Sequence, residues 1–309
     1  MAPDWLQGDR PVSFAAGIGY NPDRDLFFRT SGEIPTGRLL SVCVGLGTMC
    51  NLRCSVCVAS ASPEGTLVDT QRVKPLLALL GTHTPLRVVW SGGEPTTHPG
   101  LATILEQSIR LGLRSVVATN ALAQDPLRHL RGEFSYAVSI YGLSRADYAQ
   151  YTGHDLFAVF KRRLEQMFSV GHRVSAYYRL DSKWRTNLQS VLSWIAQYPF
   201  RKLVLVTTID RGRLDQLTAS LSDSELEEVR ALVVGRRLTF PTVVPTSRRR
   251  LARESGFVFM ELVPDASGRV RINGIEVPLE ASILRVKREF TAGNQNLFTL
   301  EDYVPPASA

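Results

Sequence analysis

From residue 39 onward the chain alternates between two hydrophobic rhythms. Short apolar, β-branched runs at 39–46, 86–90, 114–119, 136–141, 174–180 and 203–208 predict six strands. Between them, residues 70–80, 101–111, 156–168 and 188–197 space their apolar positions three and four apart, as helices do. Val73, Leu76, Leu77 and Leu80 share one side of the first helix, and Ile104, Ser108 and Leu111 one face of the second. Gly171 follows the third helix where a C-cap residue would stand. Six strand–helix steps with short connections, one of them only the segment 126–130, predict a parallel, right-handed wound α/β sheet. Six steps rather than eight predict a partial (β/α)6 TIM-type barrel, open at the side, over residues 39–210.

The two ends have a different texture. Residues 1–38 are rich in Gly, Pro and Asp and predict an irregular lead-in with one short strand near Leu26-Phe27-Phe28. Residues 211–309 predict a small α+β extension. It starts with a helix at 222–234, capped by Ser222 with acidic residues in its first turn. Strands follow at 238–244, 257–263 and 269–272, with Asp265-Ala266-Ser267-Gly268 as a hairpin turn between the last two. The tail at Pro305-Pro306-Ala307 is expected to fray.

Composition narrows the setting. Hydrophobic content of 44% and charged content of 21% are those of a soluble globular protein. No apolar run approaches the roughly 20 residues of a membrane span. Met1-Ala2-Pro3-Asp4-Trp5 has neither the basic nor the apolar region of a secretory signal. Four cysteines, three of them clustered, argue for a reducing cytoplasm rather than a disulfide scaffold. The net charge of +7 is carried mainly by arginine, with short runs at Arg211-Gly212-Arg213, Arg248-Arg249-Arg250 and Lys287-Arg288. Such runs are a solvated basic face or a reception site for an anionic substrate such as a sugar nucleotide. No interleaved aromatics accompany them, which disfavours nucleic acid.

The chemistry concentrates in Cys50-Asn51-Leu52-Arg53-Cys54-Ser55-Val56-Cys57, directly after the first barrel strand. Thiolates this close together select zinc, copper(I) or an iron–sulfur cluster. A structural zinc site wants four ligands, usually as two separated knuckles, and a second cysteine cluster is missing from the sequence. A disulfide pair with a spare thiol, or zinc completed by a distant His, are the alternatives. A 4Fe–4S cube held by three thiolates leaves one iron open to a small molecule.

The C-x3-C-x2-C spacing resembles that of the radical S-adenosylmethionine (SAM) superfamily. Trp90-Ser91-Gly92-Gly93-Glu94-Pro95, one strand–helix unit further on, is similar to its Gly-Gly-Glu-Pro motif. The likeness spans roughly residues 39–210 and includes the stretch from Tyr141-Gly142-Leu143-Ser144 to Tyr151-Thr152-Gly153. The resemblance implies the partial barrel and a single 4Fe–4S cluster on Cys50, Cys54 and Cys57. SAM would bind the open iron, with its amino group held by Gly92, Gly93 and Glu94. Reductive cleavage would give methionine and a 5′-deoxyadenosyl radical that takes a hydrogen atom from substrate. An electron donor such as flavodoxin or ferredoxin is implied as partner. Many relatives carry a C-terminal auxiliary-cluster domain around a hairpin like the one expected here, but its cysteines are absent from this sequence.

The resemblance implies further contacts to SAM, and the strand pattern adds candidates of its own. Asn120, in Thr119-Asn120-Ala121 after the third strand, and Ser139, ending the fourth, are candidates to touch the SAM ribose or carboxylate; satisfying loop backbone is the ordinary role of such residues. Val56 stands where relatives often place an aromatic near adenine, keeping the apolar contact but losing stacking area. On the fifth strand, alternation sends Tyr177 and Arg179 to one face and Tyr178 to the other. Arg179 inside the barrel would need an anionic partner, the SAM carboxylate or a substrate phosphate or carboxylate, the alternative being a rim ion pair. Tyr178 is a catalytic candidate. Cys43 on the first strand is a candidate hydrogen-atom donor, as an epimerase requires, against the commoner buried inert thiol. His98 is expected to cap or pack near the second loop.

The expected function is radical SAM chemistry in specialised metabolism on a small polar or anionic metabolite, of sugar or nucleotide type. The outcome would be dehydration, epimerisation, decarboxylation or rearrangement. Modification of a peptide or RNA is the alternative within enzymes, and a non-catalytic zinc or iron–sulfur binding protein the alternative outside them.

Overall fold

The structure is a computed structural model that describes residues 12–15, 18–21, 23–29, 41–83, 87–123, 126–130, 134–207, 221–244, 258–262, 269–272, 275–282 and 303–304. The three basic runs, the proposed hairpin turn at 265–268 and the tail at 305–307 lie outside these residues.

The six predicted barrel strands are present as β4 (Ser41–Gly45), β5 (Arg87–Ser91), β6 (Ser115–Thr119), β7 (Phe134–Ile140), β8 (Val174–Arg179) and β9 (Leu203–Val206). They pair in sequence order, all parallel. The helices α1 (Thr70–His83), α2 (Leu101–Arg110), α4 (Phe157–Ser169) and α5 (Trp184–Ile195) match the periodicity, with Val73, Leu76, Leu77 and Leu80 buried on α1. One helix falls outside the expected set, α3 (Arg145–Thr152). Its sequence signals are a capping box, in which Ser144 and Asp147 each accept the other's backbone N–H, and Gly153 in the left-handed conformation past its end.

The ends differ most from expectation. The lead-in contains three short antiparallel strands, β1 (Val12–Ala15), β2 (Ile18–Asn21) and β3 (Leu26–Arg29), where one was expected. The extension starts with α6 (Asp223–Arg236), whose Ser222–Glu225 capping box matches the predicted cap. It then adds strands to both edges of the barrel sheet. β10 (Thr242–Val243) lies parallel to β9, and β11 (Val258–Leu262) lies parallel to β4, giving eight parallel strands in all. Beyond them, β12 (Arg269–Ile272) and β13 (Ile275–Pro278) continue antiparallel from β11, and β14 (Tyr303–Val304) from β10. Residues distant in sequence thus cover the exposed backbone edges that six strands alone would leave.

Strand alternation divides the sheet into two faces. Val42, Val44, Val88, Trp90, Val117, Tyr136, Val138, Ala176, Tyr178, Leu203 and Leu205 join the helices in the main core. The inner face carries a small separate cluster of Cys43, Val89, Val116 and Ala137, against which Ala118 and Tyr177 pack. Trp90 is fully buried and its indole N–H donates to Ser115 Oγ at 3.1 Å, giving its one polar atom a partner.

At the N-terminal ends of the strands, the turn between β2 and β3 inserts a charge. Asp25 is 4% exposed and its carboxylate accepts from Arg87 Nη1 at 2.8 Å, Lys202 Nζ at 2.8 Å and the Tyr20 hydroxyl at 3.0 Å. Lys202 also donates to the Asp25 carbonyl, and Arg87 Nε to Ser41 Oγ at 3.1 Å. The lead-in is therefore tied to the starts of β5 and β9 by buried ion pairs, and Arg87 passes the contact on to β4 through Ser41. Among the described residues, no helix is long and apolar enough to cross a membrane.

Candidate active site

Parallel strands bring their C-terminal ends to one side, and the loops leaving β4, β5 and β6 meet there. The cysteine loop is folded on itself by backbone bonds: Thr48 and Met49 N–H both donate to Thr66 O (2.8 and 3.0 Å), and Cys50 N–H to Ser62 O (2.9 Å). Each cysteine sulfur has a polar neighbour. Leu52 N–H points at Cys50 Sγ (3.4 Å), Ala61 N–H at Cys57 Sγ (3.3 Å), and the Tyr141 hydroxyl lies 3.8 Å from Cys54 Sγ. Cys50 and Cys54 are buried and Cys57 half-buried. Burial pushes the Cys50 thiol up to about 12, with Glu94, Cys54 and Cys57 adding in the same direction, so the three sulfurs share one electrostatic neighbourhood. Among the described residues, no three His, Cys, Asp or Glu side chains converge as ligands of a single ion would. A four-iron cluster is wider than an ion and takes its thiolates at separate corners, and the donor chemistry of three cysteines fits it.

The glycine-rich loop packs directly on the cysteine loop. Gly93 N–H donates to Gly47 O (2.8 Å) and Glu94 N–H to Met49 O (2.9 Å). A Cβ on Gly93 would stand 1.8 Å from Met49 O, and one on Gly92, whose φ is +114°, would stand 2.4 Å from Gly47 O. The sequence explains the two glycines by approach to a ligand; in the structure the closest neighbour is the backbone of the cysteine loop.

Glu94 is 3% exposed and ties the second loop to the third. Its Oε1 accepts from Thr96 N–H (3.1 Å), Thr96 Oγ1 (2.5 Å) and Thr119 Oγ1 (2.7 Å), and its Oε2 from Asn120 N–H (2.7 Å). Burial raises its carboxyl, while the donors from Asn120, Thr96 and Thr119 pull the other way. Oε2 keeps room for one further donor. Thr96 and Thr119 were not singled out in the sequence, since a threonine in a loop carries no signal until its acceptor is known. Thr119→Val deletes a hydrogen bond to a buried carboxylate and is expected to cost about 1.5–3 kcal/mol, read from urea unfolding midpoints.

The other expected residues are spread over several parts of the barrel. Asn120 joins the site: its Nδ2 donates to Asn51 Oδ1 (2.8 Å) and lies 3.9 Å from Cys50 Sγ, while its Oδ1 accepts from Leu122 N–H (2.9 Å). Val56 is buried within the cysteine loop. Ser139 and Arg179, both half-buried, stand at the C-terminal ends of β7 and β8, three and four strands along from β4, with Ser139 opposite Tyr177. Cys43 faces the inner side of the sheet, enclosed with Val89, Val116 and Ala137. Tyr178 is 3% exposed and packs in the helix-side core, on the opposite face from Tyr177. His98 packs as expected, with Nε2 at 2.7 Å from Val68 O and Nδ1 accepting from Gly100 N–H at 3.0 Å. That pattern defines a neutral ring protonated at Nε2.

Three aromatics border the cysteine loop. Tyr141 lies edge-on to Tyr148 (centroids 5.7 Å) and tilted against Tyr151 (6.4 Å). Tyr151 accepts from Ser55 N–H through its carbonyl (2.9 Å) and donates its hydroxyl to buried Asp181. Gly142 makes the turn possible, because a Cβ there would stand 2.2 Å from the Asp147 Cβ at a φ of +152°.

No family model matches the chain. Among curated proteins, dTDP-4-amino-4,6-dideoxy-D-glucose ammonia-lyase of Streptomyces venezuelae is 32% identical over 136 residues, a segment covering 40% of this chain and 28% of that protein. The chain therefore spans under a third of this relative. Among solved structures, Streptococcus suis SuiB bound to S-adenosylmethionine superposes with a TM-score of 0.65 at 13% identity, over 84% of this chain and 68% of that one. SuiB bound to precursor peptide SuiA gives 0.62 at 13% identity, over 76% of this chain and 59% of that one. The anSMEcpe structure with bound AdoMet and the Cp18Cys peptide gives 0.53 at 14% identity, over 64% and 59%. The likeness to these structures establishes the fold. On that fold the chain carries its cysteine and glycine loops together at the C-terminal ends of β4 and β5.

Proposed function

We propose that this protein is a radical SAM enzyme in which Cys50, Cys54 and Cys57 hold one 4Fe–4S cluster and the Gly92–Glu94 loop receives SAM. The observation that carries this reading is the junction of the cysteine loop, Gly92-Gly93 and the Glu94 carboxylate at the C-terminal ends of β4, β5 and β6. When bound, the cluster and SAM supply an electron and a 5′-deoxyadenosyl radical able to take hydrogen from an unactivated carbon. The chain supplies placement. The backbone of the second loop and Oε2 of Glu94 offer acceptors to an ammonium group, Val56 an apolar contact to adenine, and Ser139, Asn120 and Arg179 polar contacts along the strand ends. Cys43 on the inner face is the candidate hydrogen donor to a substrate radical. An electron donor of the flavodoxin or ferredoxin class completes the set of partners.

The substrate we favour is a small polar or anionic metabolite of sugar or nucleotide type. Support comes from the curated relative, which by its name acts on a nucleotide-linked aminodeoxysugar. A second reading, modification of a peptide, is supported by the peptide-bound structures of SuiB and anSMEcpe.

The test is reductant-dependent cleavage of SAM by protein reconstituted anaerobically with iron and sulfide, with Cys54→Ala alongside. Wild type is expected to form 5′-deoxyadenosine, detected by mass spectrometry, and the variant at least a hundredfold less. A fully loaded wild type that leaves SAM intact with candidate sugar nucleotides and peptides present would overturn the enzyme reading. Deuterium transfer from labelled candidates into 5′-deoxyadenosine then separates the two substrate classes.

A further inference from the structure

The hydroxyl of Tyr141 lies 3.8 Å from Cys54 Sγ, although the two residues are 87 positions apart in sequence. Its ring is held edge-on to Tyr148 and against Tyr151, and Tyr151 is itself bonded to the cysteine loop through Ser55 N–H. The phenol is therefore fixed from two sides. Once Cys54 is a thiolate the sulfur has no hydrogen to give, so the phenolic O–H becomes the donor and the sulfur the acceptor. Hydrogen bonds to cluster sulfurs raise a cluster's reduction potential, because they stabilise the more negative reduced form. The donors at the other two cysteines include the backbone N–H groups of Leu52 and Ala61, which every side-chain substitution leaves in place. Tyr141 is a side-chain donor set against one named sulfur, and thus an adjustable contact.

Resting on the radical SAM reading above, we propose that Tyr141 is a positioning residue that tunes the reduction potential of the cluster through Cys54. A one-electron reduction by dithionite through mediator dyes is then easier with the phenol than without it.

The experiment is an anaerobic redox titration of reconstituted wild type, Tyr141→Phe and Tyr148→Phe, followed by electron paramagnetic resonance, with iron and sulfide counted in each. Phe at 141 keeps the ring packing and removes only the hydroxyl. Tyr148→Phe removes a hydroxyl from the adjoining ring and leaves the Tyr141 hydroxyl in place. Tyr141→Phe is expected to load like wild type and to be reduced with an equilibrium constant about tenfold smaller, a shift of about 59 mV for one electron. Tyr148→Phe is expected to match wild type. Equal potentials in loaded wild type and loaded Tyr141→Phe overturn this inference and leave the functional reading standing. A wild type that takes up no iron and sulfide overturns both. Should Tyr141→Phe fail to load, a fluorinated tyrosine at 141 retains the ring and is a stronger donor. It should raise the potential, and an unchanged value there overturns the inference.

Discussion

Gly93→Ala is expected to destabilise the protein by about 3 kcal/mol, at the upper end for an inserted methyl group in a packed region. It is also expected to reduce iron uptake on reconstitution by at least tenfold. The reason is local: the new Cβ would lie 1.8 Å from Met49 O, and Met49 O is the acceptor of the Glu94 N–H bond. A flexible side chain could turn aside, but a carbonyl inside a hydrogen-bonded loop moves only with the loop. Relief of the clash therefore separates the glycine-rich loop from the cysteine loop and misplaces Cys50, the next residue. Gly235→Ala is the control, since a Cβ there meets nothing within 4 Å and the position lies in α6. It is expected to gain about 0.5–1 kcal/mol from helix propensity. Denaturant midpoints and iron content measured on both variants check the pair. Equal stability of Gly93→Ala and wild type would mean that the two loops are not packed as described.

The second large effect is expected at the opposite end of the barrel. Asp25→Ala should cost about 3–5 kcal/mol, because it leaves Arg87 and Lys202 as buried cations without their carboxylate. Asp25→Asn should cost less, since it still presents an oxygen to the Tyr20 hydroxyl. Burial alone would raise the Asp25 carboxyl, but Arg87 and then Lys202 together outweigh it and hold it well below the usual carboxylate range. A group depressed in the folded state contributes its stability above the unfolded value of about 3.9 and loses it as pH falls toward the folded value. Wild type is thus expected to lose stability steeply below about pH 4, and Asp25→Asn to show a shallower loss. Thermal unfolding between pH 3 and 7 measures both slopes, and parallel slopes would show that Asp25 does not govern acid unfolding.

Several features were legible because they depend on local pattern. The strand–helix alternation, the Ser222 cap and the split of Tyr177 from Tyr178 all follow from periodicity or from residues three apart. The cysteine and glycine motifs were readable as short strings with chemically restricted spacing. Other features depended on partners remote in sequence. Nothing local in residues 1–38 announces that Asp25 meets Arg87 and Lys202, or that β11 will lie beside β4. The glycines are the instructive case. The sequence offers SAM as the reason for Gly92-Gly93, whereas the structure supplies a reason that holds with no ligand bound: the cysteine loop occupies the space a Cβ would need. The two glycines thus serve the junction itself, which sets the Glu94 carboxylate beside the cysteine loop.

By itself the sequence determined the barrel's elements, the three cysteines in one loop and the side of the sheet on which that loop must emerge, because hydrophobic period and strand direction are local properties. Only the tertiary structure decided what surrounds the cysteines. Thr119 and Asn120 N–H converge on Glu94, and Tyr141 reaches Cys54, because parallel pairing brings the ends of β5, β6 and β7 side by side. Those contacts join residues that pairing makes neighbours, and no spacing along the chain encodes them.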